Sequence, residues 1–465
     1  MEPFTIFFIF ASSLILYTYW ILITTKTAKN LPPGPPKLPI IGNIHLLDKQ
    51  RPHRKLTNLA RIYGPIMHLQ LGQVSTVVIS SPQLAREVLK IQDINFADRP
   101  ATTTAKIFFY EGSNIGWAPY GNYWRQLKKF ATLELLSAKK VRSFFYIRED
   151  ELTRVSKFLE SSSGSPINFR EMTRQIVNNI VSRATLGDVC KDRKILLENK
   201  AEWLKMHKEI DLILEKIIEE HRSRPRNPDD HEDIVDILLR VKDTGASFDE
   251  PLTNDRVKAI ILEMLTAGTS SSSMTIEWAF CEMMKNPEIM RKAQSEVRDV
   301  VKGDSITEAD IQSMDYMKLV VKETMRLHCV PILLPRQNPE KCIVDGYDIP
   351  ANTRILINAW ACATDPDTWE NPHGFIPERF ENSSIGFSGT DFEFLPFGAG
   401  RRMCPGMNFG LGTVEYVIAT LLHRFNWKLP EGVTPDDLDM RELTAISTVP
   451  INPLHIVPIT VSEPN

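Results

Sequence analysis

"LPFGAGRRMCPG", residues 395 to 406, sets a single cysteine beside two arginines, among glycines and between prolines. Directly after it runs an apolar stretch of helical length, from Met407 to Phe425. Gly398, Gly400 and Gly406 allow the backbone to curl close to the sulfur and to whatever lies against it. A loop of this kind entering a helix N-terminus aims amide donors and a positive dipole end at Cys404, which favours a thiolate able to bind metal. Arg401 and Arg402 suit carboxylates or phosphates bound beside the loop. The plain alternative, a small buried apolar residue, is the expectation for Cys190, Cys281, Cys329, Cys342 and Cys362.

Those six cysteines are scattered singly over 465 residues with no C-x-x-C pair, which fits a reducing compartment and argues against a thiolate zinc site. A net charge of -3 gives no electrostatic footprint for nucleic acid. Small molecules, a membrane or other proteins remain as partners. The N-terminal stretch "FTIFFIFASSLILYTYWILIT", Phe4 to Thr24, is about 20 uncharged residues, long enough to cross a bilayer core as a helix. Tyr17, Tyr19 and Trp20 gather toward one end, Glu2 precedes the segment, and Lys26 and Lys29 follow it, so the rest of the chain is expected in the cytosol. A cleaved signal peptide would need a positive n-region and a small-residue cleavage site that are missing here. Next, "LPPGPPKLPIIGN" is stiffened by prolines and reads as a rigid spacer with Gly34 as its one soft joint. The expected organisation is therefore a membrane anchor over 1–30, a proline-rich hinge over 31–43 and one large domain over 44–465.

Within that domain, residues 66 to 80 partly alternate and are rich in β-formers, which predicts a hairpin. Residues 342 to 361 predict further short strands around an Asp345-Gly346 turn. Trp203, Met206, Ile210, Ile213 and Ile217 recur at three- and four-residue steps, so 198–221 reads as an amphipathic helix. "RSRPRNPDDHED", 222 to 233, reads as a charged, proline-broken connection. The fold class is mainly α with minor β-sheet.

Phe397, Gly400, Arg402, Cys404 and Gly406 resemble the haem-binding loop of the cytochrome P-450 superfamily. Five fixed positions coincide by chance about once in a million starts. The resemblance implies heme b with Cys404 as axial thiolate ligand and Arg402 paired with a propionate. It extends to Glu323 and Arg326 in "KETMRLH", three apart and so on one helix face, and to Arg379 in a later "PERF". In the family these three form one ion group. "YGNYWRQLKK" (120–129) is similar to a helix whose tryptophan and arginine, here Trp124 and Arg125, approach a propionate, and "LLPRQ" brings Arg336 to the same purpose. Lys128, Lys129, Lys139, Lys140 and Arg142 suit either an acidic reductase or a solvated helix face. By its wording the chain resembles the plant 71 clan, which oxidises terpenoids and alkaloids. This implies a microsomal monooxygenase in the endoplasmic reticulum membrane, fed by NADPH through a cytochrome reductase, with cytochrome b5 as a second donor, and acting with O2 on a small apolar substrate. Phe108, Phe109, Ile115, Leu265, Ile332, Leu333 and Ile446 fall in regions that line the substrate pocket in the family, and each reads equally well as core.

Three departures lie on the substrate side. The oxygen-activating helix of the family carries an acid and a threonine after A/G-G-x, whereas "AGTSSSS" has Gly268 and Thr269 followed by Ser270 and Ser271. Between 191 and 200 the chain passes straight through "ILLE", where relatives have a few dozen residues of roof helices. "RLHCVPILLPR" is one residue shorter than usual. These features leave two alternatives to oxygenation open: a haem-thiolate isomerase or dehydratase, and a non-catalytic haem binder.

Overall fold

The computed structural model describes residues 4, 11–17, 30–187, 203–224, 231–303, 305–328, 330–444 and 448–461. The anchor segment falls largely outside the described residues; Ala11 to Tyr17 are helical. No helix among the described residues is long and apolar enough to cross a membrane. The 191–200 junction, Cys329 and Ile446 also lie outside them.

Among the described residues helix far outweighs strand, as expected, and the fold is organised around one helix. This central helix (residues Asn254–Lys285) starts where the Thr253 side chain accepts from Arg256 N. It is apolar nearly all round, the pattern of a helix surrounded by protein. It packs most extensively along α3 (Phe169–Leu186) and also against α7 (Met407–Arg424), so in chain order it is α5. Gly268 permits the closest part of that approach, since a Cβ there would sit 3.1 Å from the Val181 side chain. The remaining labelled helices are α1 (Pro52–Tyr63), α2 (Asn122–Phe130), α4 (Trp203–Ser223) and α6 (Asp315–Leu327).

A four-stranded sheet flanks the helices. Its strands are β1 (Ile66–Leu71), β2 (Val74–Ile79), β3 (Leu333–Gln337) and β4 (Arg354–Asn358), in the order β1-β2-β4-β3. The expected hairpin over 66–80 is present, with Ile66 opposite Ile79. Asp345 and Gly346 both take positive φ and turn the small hairpin Cys342–Val344 and Tyr347–Ile349. The strand expectation for 342–361 runs too far. Asn358 ends β4 by capping Ala361 N, and Ala359–Ala363 is helical.

The hinge also departs from its expected role as a spacer with a soft joint. His68 N donates to Pro33 O, Asn43 N donates to Gln70 O, and Asp348 N donates to Asn30 O. Residues 30–43 are thus stitched to the edge strand β1 and to the 342–349 hairpin. Gly34 is a point of close contact, because a Cβ would lie 2.1 Å from His68 O.

Glu323 and Arg326, on α6, are fully buried. The Glu323 carboxylate accepts from Arg326 Nε (2.7 Å), Arg326 Nη2 (2.9 Å), Arg379 Nε (2.9 Å) and Ile376 N (2.9 Å). The arginines spend their other donors on carbonyls of Ala363, Pro372, Gly374, Glu370 and Asn371. One carboxylate therefore fixes the 363–380 segment onto α6, just ahead of the 395–406 loop. A second buried carboxylate, Glu442, accepts from His53 Nε2 (3.0 Å) and Arg54 Nε (2.5 Å) and ties α1 to the C-terminal part of the chain. Burial pushes its carboxyl up, but the His53 hydrogen bond and the charges of Arg54 and His53 outweigh this and hold it down at about 2.

Two outcomes follow from these contacts. Gly34→Ala should lower stability by about 1–3 kcal/mol in thermal unfolding, the usual scale of overpacking, while Gly303→Ala, with nothing within 4 Å, should change it little. For Glu442, the depressed folded pKa means a stabilisation that is present above the unfolded value of about 4.3 and is lost as pH falls toward about 2. Glu442→Gln should therefore be less stable than the parent at pH 7, and the gap should close on acidification.

Candidate active site

The 395–406 loop folds through two residues with positive φ, Gly398 and Gly400. Gly400 is packed so tightly that a Cβ would lie 2.3 Å from Leu89 O. Cys404 N donates to Phe397 O at 2.9 Å, which closes the loop, and Gly406 N caps the thiol three residues before α7 begins. Phe397 itself is half-buried against Phe387. The thiol keeps accessible surface although protein surrounds it on nearly all sides, so it faces inward. Burial pushes the Cys404 thiol up from its ordinary value, opposed by the Gly406 amide and the Lys128 and Arg99 charges. The depressed pKa expected from the sequence is thus not a property of the loop alone. Coordination would have to complete it, since a metal deprotonates a bound thiol outright.

Around the thiol lies positive charge that has no carboxylate at bonding distance of Arg99 or Arg336 among the described residues, Glu263 acting on Arg99 only through space. Arg336 is 1% exposed, donates only to Pro335 O among the bonds found, and leaves its Nε without a partner. Burial, then the charges of Arg99 and Arg402, push it well down from the ordinary guanidinium value. Arg99 Nε is likewise buried and unpartnered. Nearby, Asp93 is engaged by Arg401, at 2.7 Å and through Arg401 N. Unpaired buried guanidinium groups are costly unless an anion completes them. A planar group with an iron for Cys404 and two carboxylates for the orphaned Nε–H donors fits this set of residues.

The residues inferred from the sequence as propionate partners sit in different settings. Arg402 donates to Ala97 O (2.6 Å), Ile115 O (3.2 Å) and Ala118 O (2.7 Å), so it staples a backbone loop, and burial lowers it to about 10. Trp124 is buried beneath it and spends its single N–H on Ile115 O at 2.9 Å. Arg125 is exposed and lies over Tyr120, because one residue along a helix is a rotation of about 100°. The residue that shares the inward face with Trp124 is Lys128, one turn on. Its Nζ donates to Met403 O, and burial pushes it down to about 8. The i,i+4 rule applied to Trp124 would have found Lys128, which therefore does not belong with the surface cations. Lys129, Lys139 and Arg142 are exposed, while Lys140 donates to Glu232 O. Arg99 had no local signal.

Opposite the loop, the middle of α5 carries accessible Thr266, Ala267 and Ser270 within a mostly buried helix. Thr269, Ser270 and Ser271 each donate to the carbonyl four residues back, at 2.8, 3.0 and 2.8 Å. Gly268 faces α3 instead, so its role is packing. Glu263 stands on this helix seven residues before Ser270 and so on the same face. Burial pushes its carboxyl up to about 7 against two amide hydrogen bonds and the cations Arg99 and Lys128. Ile115 and Leu265 are buried in the main core, with Phe108 and Phe109 packed on it. Ile332 is 2% exposed. Leu333 points to the other side of the sheet and packs on the small cluster with Leu56 and Leu69 beneath α1.

A family model for cytochrome P-450 matches residues 32–198 and 182–457. Germacrene A acid 8-beta-hydroxylase of Helianthus annuus is 67% identical over 492 aligned positions, with 100% of each chain covered. Costunolide synthase of Cichorium intybus is 59% identical, with 99% of each covered. In three dimensions a zebra fish cytochrome P-450 determined with abiraterone is similar, with a TM-score of 0.78 at 24% identity over 88% of this chain and 99% of that one. That likeness establishes the fold, and the sequence matches extend it to descent, so this chain belongs to the cytochrome P-450 family.

Proposed function

We propose that the protein is a membrane-anchored haem-thiolate monooxygenase that inserts one atom of O2 into a germacrene-type terpenoid acid, using NADPH-derived electrons from a partner reductase. The observation that carries this reading is the inward-facing Cys404 thiol beside orphaned Arg99 and Arg336 donors, in a chain 67% identical to a germacrene A acid hydroxylase. When bound, the haem supplies the activation of O2 at its iron. Cys404 Sγ is the proposed ligand, steadied by the Gly406 amide, and Arg99 and Arg336 hold the propionates.

On the opposite wall the chain offers hydroxyls where its family usually has an acid. Ser271 Oγ rests on Ala267 O and can turn to hold a water, so protons pass through serine hydroxyls and solvent rather than through a carboxylate at 270. Ile115, Leu265, Ile332, Phe108 and Phe109 give the apolar lining that a carbocyclic substrate requires. The hydroxylase and synthase names of the relatives favour oxygenation over rearrangement or mere binding. The 492 aligned positions, 27 more than the 465 residues here, and the meeting of the two family-model matches at 182–198 support a shortened roof at that junction. Anchoring is supported by the apolar N-terminal run and by the exposed Leu38, Ile40, Ile41 and Ile44 of the hinge region that follows it, Ile40 being 80% exposed.

The test is the chain expressed in microsomes with a plant reductase. A red-shifted Soret band on reduction under carbon monoxide is expected, abolished in Cys404→Ser, together with gain of one labelled oxygen by germacrene A acid only when NADPH and O2 are both present. A histidine-type band, or turnover without NADPH, would sink the proposal. Arg336→Ala and Arg99→Ala should each weaken haem retention by about 1.5–3 kcal/mol, the scale of a charge-assisted hydrogen bond, as read by haem loss to an acceptor protein. Arg125→Ala should leave retention unchanged.

A further inference from the structure

One peptide group in the loop ahead of α2 is held from three directions. Ile115 N donates to Glu263 Oε2 at 2.8 Å and Gly116 N donates to Glu263 Oε1 at 2.7 Å, so a single carboxylate on α5 grips two successive amides. On its other side, Ile115 O receives Trp124 Nε1 from α2 and Arg402 Nη1 from the thiol loop. The rest of the segment is pinned as well, by Tyr123 Oη to Ser113 O (2.7 Å) and Arg402 Nη2 to Ala118 O (2.7 Å). The segment is entered through left-handed backbone at Tyr110, Glu111 and Gly112, which breaks it from the short helix Thr103–Phe108 upstream. Gly116 is needed for the grip, because a Cβ there would lie 2.7 Å from Oε1.

Drawing a carboxylate out of bulk water is expensive, and this half-buried one has no ion pair at bonding distance among the described residues. Its hydrogen bonds go to the loop. The charged and titratable groups acting around it are Arg99, Lys128, Tyr123, Arg402 and Cys404. A glutamine would keep one acceptor and turn an N–H toward an amide N–H. An aspartate would fall about one methylene short.

We infer that Glu263 is a positioning residue that sets the height of Ile115 over the substrate and thereby selects which carbon of the substrate is presented for oxygenation. This rests on the proposed function for the identity of the substrate, but the grip itself does not. Glu263 spends both carboxylate oxygens on the loop and acts through it. Gly116 is its necessary counterpart, so the two positions are coupled.

The test uses the full-length, haem-loaded chain in microsomes or nanodiscs. Glu263→Gln should raise amide hydrogen exchange in the peptide containing Ile115 and Gly116 at least tenfold, with the carbon-monoxide spectrum retained, and should change the ratio of oxidation products. Gly116→Ala attacks the same contact from the loop side and should produce the same exchange and product changes. The double variant Glu263→Gln/Gly116→Ala should be no worse than the worse single variant. Unchanged exchange in both single variants, additive effects in the double, or faster exchange with an unaltered product ratio would each overturn the inference. If no terpenoid acid is oxidised by the parent chain, the proposed function falls, and the exchange measurements with the double-variant comparison still decide whether Glu263 positions the loop.

Discussion

The fully buried carboxylate of Glu323 is the constraint on which the rest of the structure leans. Left unpaired it would be among the most unfavourable groups in the chain, and removing one partner of such a group costs about 3–5 kcal/mol. Two guanidinium groups and the Ile376 amide satisfy it, and those arginines then hold five backbone carbonyls between 363 and 374. A stretch with little regular structure is thereby given a fixed course. The thiol loop begins about 15 residues after Arg379, so its placement inherits that course.

The site has the opposite electrostatic character. At Glu323 every charge is answered within the chain, whereas around Cys404 the guanidinium groups of Arg99 and Arg336 keep donors that the chain does not fill. Arg402 shows the difference, since it is equally buried but discharges its donors into three carbonyls and becomes part of the frame. Among the described residues the contrast is thus between guanidinium groups whose donors are used within the fold and groups whose Nε donors are left open.

Much of the fold was legible in the sequence because it depends on local rules. The hairpin at 66–80, the Asp345-Gly346 turn and the ion group at 323, 326 and 379 are each set by short spacings or fixed turn chemistry. The gaps share one cause, which is that the sequence does not say what lies across from a residue. Arg125 carries its charge on the exposed side of its helix, and Leu333 alternates to the face opposite Leu334. Gly34 looks like a joint until His68 O is found against it. Glu263 and Arg99 had no motif at all, since their importance arises only when loop, helix and thiol converge.

The stitching of the hinge also bears on the order of assembly during synthesis. Residues 30–43 leave the ribosome first, yet the 342–349 hairpin that receives Asn30, and β4 that completes the sheet behind β1 and β2, are made some 300 residues later. Contacts of such sequence separation form slowly and late. Until then the proline-rich segment and its exposed isoleucines have no finished surface to lie on. The sheet edge that holds the hinge is therefore among the last parts of the body to close, however early the hinge and its first strand are made.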